Sequence, residues 1–257
     1  GDTAASRYDF FDDITFTKPG VYQFVVQETV PADATDGVKN GITYTADKKI
    51  VTVTVTDDGD GTMTAKVGGD PLAFTNEYEA TGKLENVAGT KTITGRDFKK
   101  GDSFTFNVTG SATTLDGGTF TGTVPVPNNK NTVTINPESG TSAEVDFGTI
   151  TFTQEGIYTY TFTEQAPEGA TEENHWTVNG ITYDVVEKTI VVKVEDVDHN
   201  GTFKVTVTDP DDGNIASSLA WNNTYKAEPG EATISGGKQL EGRDWIADHD
   251  SFEFKLT

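Results

Sequence analysis

The chain has 257 residues, with 19 Lys and Arg against 41 Asp and Glu, a formal net charge of −22 and no Cys. So acidic a balance excludes a surface that neutralises nucleic-acid phosphates along a groove, and equally a basic patch seated on an anionic membrane. The lack of Cys excludes disulfides, thiolate zinc sites and a Cys nucleophile, and no apolar run is long enough to span a bilayer as a helix.

Taken in chain order, apolar and polar residues alternate with the period of a strand. IVTVTVT (50–56) is followed by the turn sequence DDGDGT (57–62). SFTFNV (103–108) and IYTYTFTE (157–164) alternate in the same way, and TIVVKVE (189–195) leads into DVDHNGT (196–202). The Asp/Asn-Gly stretches between alternating runs predict hairpins, and Thr, Val, Tyr and Phe are the residues that pleated strands favour. No segment of useful length has helical periodicity. Short strands with frequent turns predict an all-β fold of tandem Ig-like β-sandwich domains.

Three pairs of segments repeat. LAFTNEYEA (72–80) matches LAWNNTYKA (219–227), and KTITGRDF with DSFTFNV (91–98, 102–108) matches KQLEGRDW with DSFEFKL (238–245, 250–256). ITFTKPGVYQFVVQE (14–28) matches ITFTQEGIYTYTFTE (150–164). Lys238 follows Lys91, and Asn223 follows Asn76, by the same 147 positions (238 − 91, 223 − 76). A period this long signals an array of domains. The repeat order predicts a complete unit over 79–226, preceded by the back part of another (1–78) and followed by the front part of a third (227–257). The segments from Tyr78 to Lys91 and from Tyr225 to Lys238 then read as linkers of equal length, and the chain as a piece of something longer.

Three polar residues share faces with apolar ones. Glu164 has the parity of Tyr158, Tyr160 and Phe162, and Glu28 that of Tyr22, Phe24 and Val26. Asn223 lies between Trp221 and Tyr225, and Asn76 between Phe74 and Tyr78; Lys91 and Lys238 share parity with Ile93 and Leu240. An unpaired charge on a buried face is costly, so its recurrence predicts that Lys, Glu and Asn meet. A Lys in an apolar pocket is driven toward the neutral, nucleophilic amine, and a carboxyl there toward the protonated acid. Held together, they can convert an Asn side chain into a Lys–Asn isopeptide with loss of ammonia, a reaction for which fixed geometry can supply about 7–11 kcal/mol.

Blander readings exist for each residue. Lys91 could guard a strand edge, and Glu164 could end a strand in solvent. Lys83 rivals Lys91, but Gly230 stands at its position in the other copy; Asn222 rivals Asn223, but Thr75 stands there. The DVDHNG stretch resembles the start of a calcium loop but has Val207 where the bidentate Glu belongs. His175, His199 and His249 are scattered without metal spacing, so no metal site and no cofactor is predicted.

The series K-x-[IL]-x-GRD, DSFxFxx, ITFxxxGxYxYxxxE and [FW]-x-N-x-Y resembles the pilin isopeptide-linkage domain of Gram-positive surface proteins. The resemblance implies a bond between Lys91 and Asn223 beside a catalytic Glu164. It assigns Glu28 and Asn76 to the same roles in the first unit, and Lys238 in the last. It also implies an extracellular, cell-wall location and a structural role as pilus shaft or adhesin stalk, with no multiple-turnover enzyme activity. The incomplete first and third units point to neighbouring copies of the chain as partners, joined head to tail or by strand complementation, and the resemblance adds sortase-assembled pilus proteins. The alternative is an adhesin module binding a glycan or host protein.

Overall fold

The computed structural model describes residues 13–210 and 213–257; the first twelve residues of the predicted first unit lie outside the described residues. In chain order the strands are β1 (Gly20–Gln27), β2 (Val38–Lys39), β3 (Ile42–Thr43), β4 (Lys48–Asp57), β5 (Met63–Gly69), β6 (Glu77–Tyr78), β7 (Gly82–Thr94) and β8 (Phe104–Thr113). They continue as β9 (Thr132–Ile135), β10 (Ser142–Phe152), β11 (Gly156–Gln165), β12 (Thr177–Val178), β13 (Ile181–Thr182), β14 (Lys188–Glu195), β15 (Lys204–Asp209) and β16 (Ala220–Tyr225). A single turn of helix, α1 (Ile215–Ser218), precedes β16. The two predicted hairpins are β4–β5 and β14–β15.

Residues from β7 to β16 form two five-stranded sheets, ordered β10-β7-β16-β13-β12 and β15-β14-β11-β8-β9. Alternation decides which side chains fill the space between them. Along β11 every second residue from Gly156 to Glu164 is buried, and Phe104, Phe106 and Val108 are buried on β8. The sheets interlock through aromatic rings. Phe106 of β8 meets Trp221 of β16 with centroids 4.7 Å apart, and Phe147 of β10 meets Phe162 of β11 at 4.8 Å. Such tilted and edge-on pairs add about 0.5–1.5 kcal/mol each beyond the area they bury. β7 and β16, the first and last strands of the sandwich, run side by side and parallel, with Lys91 opposite Trp221 and Asn223 opposite Ile93.

Residues 13–78 repeat part of this pattern. Their sheets are β1-β4-β5 and β2-β3-β6, the counterparts of β11-β14-β15 and β12-β13-β16. Ile42 pairs with Tyr78 as Ile181 pairs with Tyr225. In both copies the Tyr two residues after the strand-opening Gly donates its hydroxyl hydrogen to a carbonyl four residues back, Tyr22 to Lys18 and Tyr158 to Gln154.

The stretch 82–90, read as linker, is the first two-thirds of β7: Val87 and Gly89 are buried, and the strand pairs with β10 along much of its length. Its Gly, Asn and Lys content masks the signal, because a β-bulge near Gly148 shifts the pairing register and interrupts strict alternation.

Residues 226–257 form a separate compact unit. It has no strand, and Ile234, Phe254 and Leu256 are exposed. Its GRD segment is ordered by a paired clamp, with Arg243 Nη1 and Nη2 donating to Asp250 Oδ2 and Oδ1 at 2.6 and 2.7 Å. Arg96 clamps Asp102 in the same way, at 2.7 and 2.9 Å.

Candidate functional site

Glu164 is the last inward residue of β11, one step beyond Phe162 on the face that holds the aromatic core. Lys91 is inward on β7 between Gly89 and Ile93, and Asn223 is inward on β16 two residues after Trp221. The two strands of one sheet therefore bring Lys91 and Asn223 together, and the facing sheet supplies Glu164. Lys91 Nζ donates to Glu164 Oε2 at 2.8 Å, and Asn223 Nδ2 donates to Glu164 Oε1 at 2.8 Å. All three are sealed from solvent, with relative exposures of 0%, 3% and 0% in chain order. The Lys91 ammonium also lies 5.1 Å from the centre of the Phe104 ring.

Burial governs the protons. It pushes the Lys91 pKa below the usual lysine value, although the adjacent carboxylate pulls the other way. It pushes Glu164 above the usual carboxylate value, against the pull of Lys91 and of the Asn223 hydrogen bond. Both shifts favour moving one proton from the amine to the acid across the 2.8 Å contact.

Asn223 is held at its other end by a group that the alternation pattern does not reveal. The Asp184 backbone N–H donates to Asn223 Oδ1 at 2.8 Å. The Asp184 carboxylate fixes that segment by accepting from the N–H groups of Asn222 and Val186, both at 3.2 Å. Asn223 is thus held at its oxygen by a backbone N–H and at its nitrogen by the Glu164 carboxyl group. A backbone donor leaves no residue signature in the sequence.

Residues 13–78 hold the same constellation less the amine. Asn76 Nδ2 donates to Glu28 Oε1 at 2.8 Å, and the Thr45 N–H donates to Asn76 Oδ1 at 3.0 Å. Glu28 Oε2, the counterpart of the oxygen that receives Lys91, is buried and has no hydrogen-bond partner among the described residues. Lys238 does not occupy an apolar sheet face as its parity suggested. It is exposed, its Nζ donates to the Gln239 carbonyl at 2.7 Å, and it lies over the Phe252 ring. Without a neighbouring strand, alternation alone buries nothing. Among the described residues no group of three or more His, Asp or Glu side chains is placed to hold a metal ion.

Among solved structures, the major pilin protein T-13 of Streptococcus pyogenes is similar at 18% identity and a TM-score of 0.21, over 82% of this chain and 67% of that one. No curated protein matches the chain. The sequence profile of FctA, the Spy0128-like isopeptide containing domain, matches residues 2–79 and 87–226. With nearly the whole of 2–226 accounted for in this way, the chain belongs to the family of Spy0128-like isopeptide-containing domains.

Proposed function

We propose that the chain is a segment of a Gram-positive pilus shaft or surface stalk whose sandwich domain, residues 79–226, locks itself with an isopeptide bond between Lys91 and Asn223. The observation that carries this reading is the buried carboxylate of Glu164 bridging the two side chains, with 2.8 Å contacts on both oxygens. In the reaction, one proton of the Lys91 ammonium passes to Glu164. The neutral Nζ attacks Asn223 Cγ while the Asp184 N–H stabilises the charge developing on Oδ1. Glu164 then protonates Nδ2, which leaves as ammonia. Nζ sheds its second proton to the carboxylate, which hands it to the released ammonia, so the positive charge that began on Lys91 leaves as ammonium, one C–N bond forms, one breaks and Glu164 ends unchanged. The chemistry happens once per molecule, so the protein is structural and not a turnover enzyme.

The mechanical use follows from topology. The bond ties the first strand of the sandwich to the last, so tension between the ends of the domain passes through a covalent link between β7 and β16 instead of unzipping their hydrogen bonds. Neighbouring copies and other pilus proteins are the partners this role implies, and the cell surface is its place. Peptide mapping of the protease-digested chain tests the reading: a branched peptide joining the Lys91 and Asn223 segments supports it, and separate linear peptides bearing both intact side chains overturn it.

A further inference from the structure

The passage from residues 13–78 into β7 is stitched on both sides. The Glu79 N–H donates to the Gly41 carbonyl at 2.9 Å, and the Thr81 N–H donates to the Gly201 carbonyl at 3.1 Å. The Phe203 N–H returns a bond to the Thr81 carbonyl at 2.8 Å, and Ala80 between them is buried. Tyr78 closes the contact from the side. Its hydroxyl donates to Asp196 Oδ2 at 2.6 Å and accepts from the Gly201 N–H at 3.2 Å.

Two turns meet backbone to backbone at this point. Gly41 and Gly201 both have left-handed φ, +77° and +85°. A Cβ on Gly41 would lie 2.6 Å from Gly201 Cα, and one on Gly201 would lie 2.7 Å from Gly41 Cα. No other residue fits either place without parting the turns.

From this geometry we infer an interaction surface: the Asn40–Gly41 turn with Tyr78 is a socket for the Asp196–Thr202 turn of the next repeat, and the two make a fixed joint between consecutive domains. The inference rests on reading 13–78 and 79–226 as copies of one domain. The parts recur in both copies. Asn179 and Gly180 repeat the left-handed pair at 40–41, with φ of 52° and 76°, and Tyr225 repeats Tyr78. Asp57, Gly61 and Thr62 repeat Asp196, Gly201 and Thr202 at the other end of the first copy, where no atom of the described residues lies within 4 Å of a Cβ placed on Gly61. Each copy thus carries one socket and one plug. The partner that fits the Asn179–Gly180 socket is the plug turn of a further domain of the same kind. A stalk built this way has repeats set at a defined angle, where a flexible linker would let them swivel.

Amide hydrogen exchange on the full chain tests the joint. The Glu79 and Gly201 amides, which bond across the two repeats, should be protected, and Tyr78→Phe should speed their exchange at least tenfold while β11 amides keep their protection. Gly201→Val, which cannot seat against Gly41, should bring the Glu79 amide to the rate of a free peptide. Free-peptide exchange at Glu79 in the unaltered chain would overturn the inference, as would unchanged protection in both variants. So would loss of β11 protection in Tyr78→Phe, which would make the contact part of one core and not a joint. Both variants should still lose one ammonia on folding, so failure of the joint and failure of isopeptide formation read out separately.

Discussion

Glu164→Gln isolates the proton on which the proposed reaction depends. Gln keeps the volume of Glu and can still accept a hydrogen bond, but it has no proton to exchange with Lys91 or to give to the leaving nitrogen of Asn223. The bond should then fail to form within the time of an ordinary preparation. The loop it would have closed spans 223 − 91 = 132 positions. By the chain-entropy estimate for a cross-link of that size, its absence costs about 5 kcal/mol. For a domain of roughly 150 residues, where each kcal/mol moves the midpoint by about 2–4 °C, thermal unfolding should fall by about 10–20 °C. Leaving Lys91 without its counter-ion in a dry site adds to the loss, by about 3–5 kcal/mol for a broken buried pair. The double replacement Lys91→Met with Glu164→Leu removes the charges together with the bond, and its deficit separates the covalent part. The assay pairs intact mass with calorimetry. A Glu164→Gln protein that is one ammonia light, or that melts within about 2 °C of the parent, refutes the reasoning.

The other predictions concern protons, polarisation and the ordering of the site. Closure should have a bell-shaped pH dependence when protein made unfolded in inclusion bodies is refolded at different pH and sampled by mass. Falling pH protonates Glu164 while Lys91 is still an ammonium, and rising pH strips the acid proton. With Glu164 raised from 4.5 and Lys91 lowered from 10.5, both limbs should lie inside those bounds; a rate that keeps climbing above pH 10.5 contradicts the scheme. Asp184→Pro removes the N–H that faces Asn223 Oδ1 and should slow closure by about 10²–10³-fold, the usual effect of losing one oxyanion donor; closure at the parental rate would remove that role. Arg96→Met should destabilise the sandwich by about 1.5–3 kcal/mol by breaking a doubly bonded carboxylate clamp, read by denaturant midpoint. No change in midpoint would make the clamp incidental.

Parity carried most of what could be read in advance. Glu164 was placed inward by the aromatic alternation that precedes it, and Asn223 by Trp221, because both strands are regular and buried on one face. The first two-thirds of β7 escapes an alternation rule because the pairing register shifts around Gly148, although Lys91 itself lies in the regular part. Lys238 shows the limit of the rule, since its parity is that of Lys91 but no partner strand covers it in its own unit. The Asp184 and Thr45 amides were illegible because every residue but proline carries the same donor. The Gly41–Gly201 contact was illegible for a different reason. Its glycines read as ordinary turn residues, and only the approach of one turn to another shows why neither tolerates a side chain.

Whether Lys91 and Asn223 are one covalent unit is read from the intact mass of the fully denatured native chain. The expected mass lies one ammonia below that of the sequence, with fragmentation placing the loss on a Lys91–Asn223 branch. A mass equal to that of the sequence, from protein shown to be folded before denaturation, would contradict it.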